Sequence, residues 1–404
     1  MEKILDGIRV IDWGHWHAVP QSAALLGDLG ADVYHVEQKG VGDQYRGMRS
    51  VGGIPMFLPQ GPHILFEAVN RNKRGLALDL SKPSGKDIMY RLVKNSDVFI
   101  TSVDKDTIRK FGLDYANLSQ INPKLIYAGF NGYGDKGPDA EMPSFDMMFQ
   151  ARAGVMMSTG EGSGAEPCLP MQFMADEVSG IMLAFSVLGA LLARERHGIG
   201  QEVRCSGLGI TMQLLHQLIN IYLLTGKEVR RGDREKPINS LFHFYKCQDG
   251  DWIAIAAHRE IDWGPLCRAI DMPELEKDPR FDTMEGRLQK IPDLTRILKD
   301  VFMKKPRQEW VDLFRKVKVT YAPISTIADL AADPQVIAND YICDYDHPVL
   351  GKVKILGFPW KFEKTPAAHT RPAPDCGQHT EEILAEVCGY NWEDIGRFQK
   401  EGAI

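Results

Sequence analysis

The sequence predicts an α/β fold, in which helices cover both faces of a parallel sheet and a smaller α+β domain follows. Short apolar strands alternate with amphipathic helices over the first half of the chain, which is typical of βαβ units. The 404 residues, 44% of them hydrophobic, can bury a large core, and this length suggests two or three domains. A polar, charged stretch at 226–240 separates the first half from the rest.

The first βαβ unit lies at the start of the chain. Residues 8–12 and 32–36 are rich in β-branched residues, and 20–29 between them has the Ala and Leu spacing of a helix. The pattern repeats more loosely, with strands at 76–80, 97–100 and 125–128 and a helix at 84–94. This succession predicts a Rossmann-like parallel sheet. The turn after the first strand contains no GxGxxG, so the topology does not indicate a dinucleotide cofactor.

The second half predicts a different architecture. A strand at 201–206 completes the first half, and 242–257 has the pattern of a hairpin that turns at 248–250. We divide the chain into the N-terminal part of a large α/β domain at 1–225, a linker and small domain at 226–320, and a C-terminal segment at 321–404. The passage 359–374 contains several prolines and cannot form its own core, so the C-terminal segment is expected to wrap back onto the large domain or a partner chain.

Composition excludes several function classes. The net charge of -6 comes without a basic stripe, which argues against nucleic acid as a partner. The apolar run at 178–193 is flanked by charged residues and is shorter than the roughly 20 residues that a membrane span needs, so we expect a core helix and no membrane. The seven cysteines form no CxxC pair and no cluster with histidine, which predicts no disulfide framework and no metal site. No secretory signal is visible, and a cytoplasmic protein is expected.

Asp176 stands just before this apolar run and is either a helix cap or a reactive group held where water is scarce. Aspartate is favoured at the start of a helix because its side chain accepts backbone N–H bonds, so a capping role alone explains it. The two roles are compatible, since N–H groups at a helix start can also stabilise an oxyanion beside an attacking carboxylate.

Other candidates have equally ordinary explanations. His15 and His17 lie in the first β-to-α turn, where open α/β sheets bind ligands, although a loop histidine more often packs. The cluster of Arg71, Lys73 and Arg74 is either a solvated turn or a phosphate site. Asp146 is either a second buried carboxylate or a helix cap.

Taken together, these segments resemble the class III (CaiB/BaiF-type) coenzyme A transferases over nearly the whole chain. The resemblance rests on 5–12 (LDGIRVID), 20–33, 36–47 (VEQKGVGDQYRG), 70–80 (NRNKRGLALDL), 96–100 (SDVFI), 110–115 (KFGLDY), 122–138, the Asp176-x-x-x-Gly180 helix start and 371–384 (RPAPDCGQHTEEIL). Each segment alone is weak evidence, but this order and spacing is highly specific.

The resemblance implies a reaction. The aspartate matching Asp176 attacks an acyl-CoA thioester, giving a mixed anhydride and then an aspartyl-CoA thioester, and an incoming carboxylic acid reverses the two steps. Coenzyme A thioesters are then substrates, and no tightly bound cofactor, metal or ATP is required. A carboxylate is a weak nucleophile in water, so this chemistry needs desolvation at the mouth of an apolar helix.

The resemblance also implies a binding cleft. The expected CoA contacts are His17, Ala18, Gln38, Leu78, Ser81, Ser102, Val103, Asp104 and Lys110. Phe145 and Asp146 are expected beside the nucleophile as part of the substrate pocket. The family commonly has Gln at the place of His17, Asn at that of Ser102 and Arg at that of Lys110. A lysine there keeps the charge but loses bidentate phosphate binding.

Two alternative functions stay open. Related 2-methylacyl-CoA racemases use a His-Asp pair where this chain has Phe145 and Asp146, and phenylalanine cannot move a proton. A subunit of a heteromeric transferase is the other alternative. The family also forms an interlocked dimer, so we expect a homodimer.

The acceptor acid is predicted only as a class. Formyl-CoA transferases carry a glycine run that 226–240 lacks, and 132–146 looks more like relatives acting on aryl-lactates, succinate or benzylsuccinate. We expect a bulky, aromatic or dicarboxylic acid. The residues that could line its pocket, although such sets are more often core, are Trp13, Trp16, Phe145, Met147, Met148, Met156 and Met157.

Overall fold

The computed structural model describes residues 2–59, 61–162, 164–229 and 231–404. They form two compact units. The larger unit contains the chain up to Met156, then 169–220 and 340–404, and the smaller unit contains 157–168 and 221–339.

The strands are β1 (Arg9–Trp13), β2 (Asp32–Gln38), β3 (Ser50–Val51), β4 (Ile54–Pro55), β5 (Lys73–Leu78), β6 (Val98–Thr101), β7 (Ile126–Asn131), β8 (Gln201–Ser206), β9 (Phe242–Lys246), β10 (Trp252–Ala256), β11 (Tyr321–Pro323), β12 (Ile342–His347) and β13 (Gly351–Leu356). The helices are α1 (Ala18–Asp28), α2 (Ile64–Asn70), α3 (Pro83–Lys94), α4 (Lys105–Phe111), α5 (Tyr115–Ile121), α6 (Asp146–Arg152), α7 (Val155–Ser158), α8 (Met174–His197), α9 (Gly207–Gln213), α10 (His216–Thr225), α11 (Glu260–Ala269), α12 (Met284–Gln289), α13 (Ile291–Phe302), α14 (Arg307–Val317), α15 (Ile327–Leu330), α16 (Pro334–Ala338), α17 (Thr380–Glu386) and α18 (Trp392–Glu401). Two short 3₁₀ turns span Gln44–Gly47 and Pro273–Lys277.

The larger unit is built on a parallel sheet, as the sequence predicts. Over the described residues its strand order is β5-β2-β1-β6-β7-β8, and every neighbouring pair is parallel. The order reverses between β1 and β6, so the chain leaves these two strands in opposite directions. Open α/β sheets bind ligands in the crevice that such a reversal creates outside the carboxyl ends of the strands.

Helices cover both faces of this sheet. Alternate strand residues face opposite sides, so Val10 and Val33 pack with α1 and α8, while Ile11 and Tyr34 pack with α3, α17 and α18. The first face brings α8, which carries Asp176, against α1 and the turn that precedes α1.

Helix α8 is a core helix on one side only. Its buried residues include Leu183 and Val187, but Phe185 on its other side is 68% exposed. By length and composition α8 could cross a membrane, and so could the bent pair of α9 and α10. The sequence pattern could not separate the two faces of α8, because both are apolar.

The smaller unit is an antiparallel sheet with helices. The predicted hairpin is present as β9 and β10, with Ile253 opposite Tyr245. Strand β11 pairs with β10 in the same sheet. The predicted C-terminal segment therefore starts within this unit at 321, and only the chain from 340 onward belongs to the larger unit.

The C-terminal segment packs on the large unit of its own chain. The backbone N–H of Asn72 donates to the carbonyl of Arg371, and that of Asp79 to the carbonyl of Ala403. Helix α17 packs into the sheet core through Ile383 and Leu384, and α18 follows it into the same core through Phe398. Residues 340–404 therefore dock on the large unit of their own chain, which is one of the two docking places expected for this segment.

Candidate active site

Asp176 is the third residue of α8, and it does not cap the helix. The cap is the carboxylate of Asp146, which accepts the backbone N–H groups of Phe173 (3.1 Å), Ala175 (2.7 Å) and Asp176 (3.1 Å). Phe173 precedes the helix with a left-handed backbone, φ 64°. The capping interpretation of Asp176 is therefore wrong, and the alternative of Asp146 as a helix cap is correct, although the helix it caps lies about thirty residues along the chain.

The same bonds correct the expected source of oxyanion stabilisation. The N–H groups of Phe173, Ala175 and Asp176 already donate to Asp146, so they are not available to a reacting carbonyl. The side chain of Gln150 also donates to Asp146, at 2.7 Å, and fixes its rotamer. The helix start therefore holds Asp176 in place, and donors for an oxyanion must come from other groups.

Gly180 explains the Asp-x-x-x-Gly pattern. A Cβ at this position would lie 2.6 Å from Cγ of Gln21 and 3.2 Å from the carbonyl oxygen of Ala18. Only glycine lets α8 approach the first turn of α1 so closely. The glycine thus brings the His17 turn next to the helix turn that carries Asp176.

Glu177 lies at the candidate site but is not among the residues that the sequence singled out. Its Oε1 lies 3.0 Å from Nε2 of His17, and its Oε2 accepts a bond from Gln21 at 3.3 Å. The other ring nitrogen of His17, Nδ1, lies 3.0 Å from the hydroxyl of Tyr45, and the ring stacks on Phe173. The adjacent Asp-Glu pair at a helix start was the available signal for Glu177, whereas nothing in the spacing indicated Tyr45.

Burial and charge make Asp176 unusually basic. Burial raises the pKa of this carboxyl and the nearby Asp146 and Glu177 raise it further, while His17 opposes them, so that the pKa is about 6 instead of 3.8. Burial together with Asp176 and Glu177 likewise raises the pKa of the Tyr45 phenol. Asp176 is therefore an anion at neutral pH with higher proton affinity than an ordinary aspartate.

Aromatic side chains stand beside this carboxylate. The Trp16 ring lies edge-on to Tyr45 (5.7 Å between centroids) and to Phe145 (6.3 Å). Phe145 is 61% exposed, and Met147 and Met148 next to it are exposed as well. These residues are not core, so they can contact a ligand. Trp13 is different, because it is buried in the sheet core against Phe99 and its assignment to an acyl pocket is wrong.

The predicted CoA residues lie along one edge of the sheet. His17 and Ala18 follow β1, Gln38 ends β2, Leu78 ends β5, and Ser102 follows β6, and these four strands are neighbours. Parallel strands place their carboxyl ends together, so the structure brings these positions to the same edge.

Their side chains are not equally available there. Leu78 is 1% exposed in the core and its carbonyl accepts the N–H of Lys39, so a side-chain contact with CoA is ruled out. Ser81 donates to Asp79 at 2.6 Å, and Asp104 caps α4 through the N–H of Thr107. Val103 is partly buried against the sheet core.

Ser102 also shapes the turn after β1. Its hydroxyl oxygen accepts the backbone N–H of His15 at 3.4 Å. This bond joins the turns after β1 and β6, the two strands on either side of the reversal in strand order.

Lys110 has a partner that the sequence did not indicate. The ammonium groups of Lys110 and Lys86 each lie 5.5 Å from the centroid of the Phe111 ring. Lys86 also donates to the carbonyl of Lys110, at 3.5 Å. Among the described residues, neither lysine forms an ion pair, so two uncompensated cations stand together at the C-terminal end of α4.

The basic cluster at 71–74 is not a phosphate site. Lys73 is fully buried and donates to Asp12, Asn70 and the carbonyl of Pro20. Arg71 pairs with Asp28. Arg74 is likewise paired with acidic side chains, namely Asp32, Glu382 and Glu386. All three cationic side chains are paired with acidic groups of the protein, so none is free to bind a phosphate.

The part of the chain that the structure describes contains no candidate metal site. No group of three or more His, Cys, Asp or Glu side chains there is arranged to hold a metal ion.

Comparisons with known proteins agree on one family. The model of CoA-transferase family III matches residues 5–380. The chain is 30% identical over 402 residues to human succinyl-CoA:glutarate CoA-transferase, covering 100% of this chain and 90% of that one. It is 30% identical over 403 residues to (R)-2-hydroxy-4-methylpentanoate CoA-transferase of Clostridioides difficile, covering 99% of each.

A solved structure agrees with these relatives. A CaiB/BaiF family protein from Brucella suis is 30% identical to the chain and matches its fold with a TM-score of 0.84, covering 96% of this chain and 100% of that one. The sequence match extends across both compact units, so it is not limited to a shared sheet. The chain therefore belongs to CoA-transferase family III and is a CoA-transferase.

Proposed function

We propose that the protein moves coenzyme A from an acyl-CoA donor to a bulky, aromatic or dicarboxylic acid, with Asp176 as the nucleophile. The observation that carries the proposal is the carboxylate of Asp176 itself. It is desolvated, it has a pKa of about 6, and it stands at the start of α8 beside the turn after β1. A carboxylate of raised basicity is the nucleophile that acyl transfer at neutral pH needs.

The reaction proceeds by exchange of acyl bonds. An oxygen of Asp176 attacks the thioester carbonyl, and CoA leaves as a thiolate. The thiolate then attacks the aspartyl carbonyl of the mixed anhydride, which releases the donor acid and leaves an aspartyl-CoA thioester. The acceptor carboxylate attacks this thioester, and the released thiolate attacks the acceptor acyl group, giving the new acyl-CoA and Asp176. Each step breaks one acyl bond and forms another, so neither a redox partner nor ATP is consumed.

The surrounding carboxylates support the choice of Asp176 among three acids. Asp146 is occupied by four donors, and Glu177 is held by His17 and Gln21. Among the described residues, none forms a hydrogen bond or an ion pair with the Asp176 carboxylate, and the bond to Asp146 involves only the backbone N–H. Its side chain is therefore the one that can turn toward a thioester.

The exposed aromatic side chains support a bulky acceptor. Trp16 and Phe145, whose rings meet edge to face, present apolar surface at the turn before α1 and the start of α6. The relatives named above act on glutarate and on 2-hydroxy-4-methylpentanoate, a dicarboxylic and a branched 2-hydroxy acid. We infer that this protein takes a dicarboxylic or 2-hydroxy acid with a larger apolar group, such as an aryl-lactate or benzylsuccinate, whose ring Trp16 and Phe145 would contact.

The sheet edge and the paired lysines support the CoA site. We propose that CoA lies along the carboxyl ends of β5, β2, β1 and β6, with its phosphates near Lys110 and Lys86. The second lysine would replace part of the charge contact that an arginine at position 110 makes in relatives.

The racemase alternative lacks its expected proton carrier at position 145. Epimerisation needs proton carriers on both faces of the α-carbon. The related racemases have a histidine where this chain has Phe145, which carries no proton. This difference favours transfer.

Exposed apolar helices support a dimer, which we propose to be the interlocked homodimer that the family resemblance implies. Ile181, Phe185 and Leu192 expose the outer face of α8, and Leu224 on α10 is 85% exposed. Helix α10 has no buried residue although most of its side chains are apolar. Exposed apolar helices of this kind mark protein interfaces. We propose that a second copy covers them, a heteromer with a related subunit being the alternative, and that the dimer is cytoplasmic.

The test is a direct search for the covalent intermediate. The protein is incubated with succinyl-CoA, acetyl-CoA or an aryl-acyl-CoA, quenched, and digested for mass spectrometry. We expect a hydroxylamine-sensitive adduct on the peptide containing Asp176, and none in Asp176→Asn. Absence of the adduct, together with exchange of the α-proton of a 2-methylacyl-CoA in deuterated water, would replace the proposal by the racemase alternative.

A further inference from the structure

Four charged side chains are buried together beneath the turn that carries His17. Asp12 on β1, His35 on β2 and Lys73 on β5 are fully buried, and Asp43 in the loop after β2 is 1% exposed. Burying a charge is costly unless it is paired and fully hydrogen-bonded. The mechanism proposed above uses none of these four groups directly.

His35 lies between two carboxylates. Its Nδ1 is 2.8 Å from Oδ2 of Asp12, and its Nε2 is 3.5 Å from Oδ2 of Asp43. Nδ1 donates to the carboxylate of Asp12. Nε2 has no hydrogen-bond partner among the described residues, and the carboxylate of Asp43 faces it at ion-pair distance. A proton on Nε2 is favoured opposite an anion, whereas a lone pair there would be repelled, so we take the ring as the imidazolium. Burial opposes this charge, but Asp12 and Asp43 raise the pKa of His35 to about 9. With Lys73 included, two cations then balance two anions.

Lys73 fixes the other side of the cluster. Its ammonium group donates to Asp12 (2.7 Å), the carbonyl of Pro20 (2.7 Å) and Asn70 (2.7 Å), so all three N–H bonds are used. Together with the edge of the Phe66 ring on α2, these are the groups that face His35 from the surrounding elements.

Asp43 connects this cluster to the turn. Its Oδ1 accepts the backbone N–H groups of Trp16 (3.3 Å) and Tyr45 (2.8 Å). Trp16 has a left-handed backbone, φ 65°, which a non-glycine residue adopts only when its surroundings enforce it. The Tyr45 hydroxyl lies against His17, and His17 lies against Glu177.

We propose that His35, as an imidazolium, is a positioning residue for the active site. It holds Asp43, Asp43 holds Trp16 and Tyr45, and these hold the His17 side chain against Glu177, beside the nucleophile. The role of His35 in transfer rests on the proposed function. The conformational coupling does not, and it is measured without substrate.

The test compares backbone amide exchange in wild type, His35→Gln and the double variant His35→Gln/Asp43→Asn. The control is His347→Gln, which removes another buried histidine that faces a single carboxylate, Glu67, at 3.6 Å. In His35→Gln we expect peptides covering 14–18 and 43–47 to exchange at least about tenfold faster, because Asp43 is left as an unpaired buried anion. The double variant, which removes that anion, should return to within about threefold of wild type. The control should leave both peptides unchanged.

The wild type supplies a readout that needs no folded variant. After correction for the intrinsic rate, exchange at 14–18 should step upward as pH rises through about 9, where His35 loses its proton. Unchanged exchange at 14–18 in a folded His35→Gln protein, or a wild type without this step, overturns the proposal.

Activity is measured separately. The single-turnover labelling of Asp176 by acetyl-CoA or succinyl-CoA should slow at least about tenfold in His35→Gln and recover in the double variant. Labelling at the wild-type rate would overturn the role in transfer. If the wild type itself gives no label with any acyl-CoA while the exchange effects occur, the coupling stands and the proposed function fails.

Discussion

The carboxylate of Asp146 accepts the backbone N–H of Asp176 at 3.1 Å, so a residue from α6 fixes the first turn of α8. Two further N–H groups of that turn donate to the same carboxylate. The backbone that carries the proposed nucleophile is therefore held by the side chain of Asp146.

Asp146→Asn should weaken this cap. Asparagine keeps one acceptor oxygen but loses the charge that favours the positive end of a helix, so the free energy of unfolding should fall by about 1–2 kcal/mol. Removing a neighbouring anion should also lower the pKa of Asp176. Chemical denaturation and the pH profile of Asp176 labelling measure the two effects. Asp114→Asn, which alters an ordinary cap on α5, is the matched control for stability and should leave the labelling profile in place.

Asp176→Asn should stabilise the protein at neutral pH while abolishing transfer. The pKa of the Asp176 carboxyl in the folded protein is about 6, above the ordinary 3.8. The ionised carboxylate therefore lowers the free energy of unfolding, in full above pH 6 and not at all below about pH 4. Allowing for partial solvent screening, the gain at pH 7 should be about 1–2 kcal/mol. Thermal melts between pH 4 and 8 measure it. A gain that is equal at pH 4 and pH 7 would contradict this origin.

The rate of Asp176 labelling should fall as pH drops through about 6. The protonated carboxyl is not a nucleophile, and the pKa of Asp176 is raised to about 6 by burial and by Asp146 and Glu177. Single-turnover rates at saturating acyl-CoA between pH 4.5 and 8 report this ionisation. A labelling rate that stays constant down to pH 5 would show that the Asp176 carboxyl has an ordinary pKa, which would contradict the effect expected from burial and the neighbouring acids.

Phe145→Ala should change the choice of acceptor. The exposed ring beside Trp16 offers apolar contact to a bulky acid and little to a small one. We expect kcat/KM to fall roughly tenfold for an aryl-lactate and to change little for acetate. Met142→Ala, which removes another exposed apolar side chain ahead of α6, is the control. Equal losses for both acids would show that Phe145 does not contact the acceptor.

Lys86→Ala and Lys110→Ala should each weaken binding of CoA thioesters through their phosphates. Each exposed cation should contribute about 0.5–1 kcal/mol, which raises KM by roughly two- to fivefold. An acyl-pantetheine, which lacks the nucleotide phosphates, should show no such change. Lys94→Ala, at the opposite end of α3, is the matched control. If acyl-pantetheine is affected equally, the two lysines do not bind phosphate.

The local pattern predicted the fold better than it predicted the site. The strands of the parallel sheet and the β9–β10 hairpin were predictable because periodicity and turn residues are properties of neighbouring positions. The cap on α8 was not, because Asp146 reaches it across thirty residues. Lys73 was misjudged for the same reason. A lysine in a polar turn looks solvated until the fold brings Asp12, 61 residues away, to its ammonium group.

The matched family motifs identified Asp176, but its environment needed the fold. Neither the raised pKa nor the contact of His17 with Glu177 can be derived from spacing, since both depend on how closely α1 approaches α8 at Gly180. Glu177, Tyr45 and Lys86 entered the site only through such distances.

Phe145 and Asp146 share a peptide bond, and this limits how the acceptor range can be redesigned. Phe145 has an extended backbone, φ -143° and ψ 170°, and this geometry delivers the next side chain to the start of α8. Proline at 145 would force φ toward about -65° and displace the cap. Glycine at 145 would make the backbone more flexible and so weaken the cap. Substitutions that keep an extended backbone, such as Val, Ile, Tyr or Trp, can vary the size of the pocket without disturbing the helix that carries the nucleophile. An engineering library at this position should therefore exclude the two residues that change the main chain.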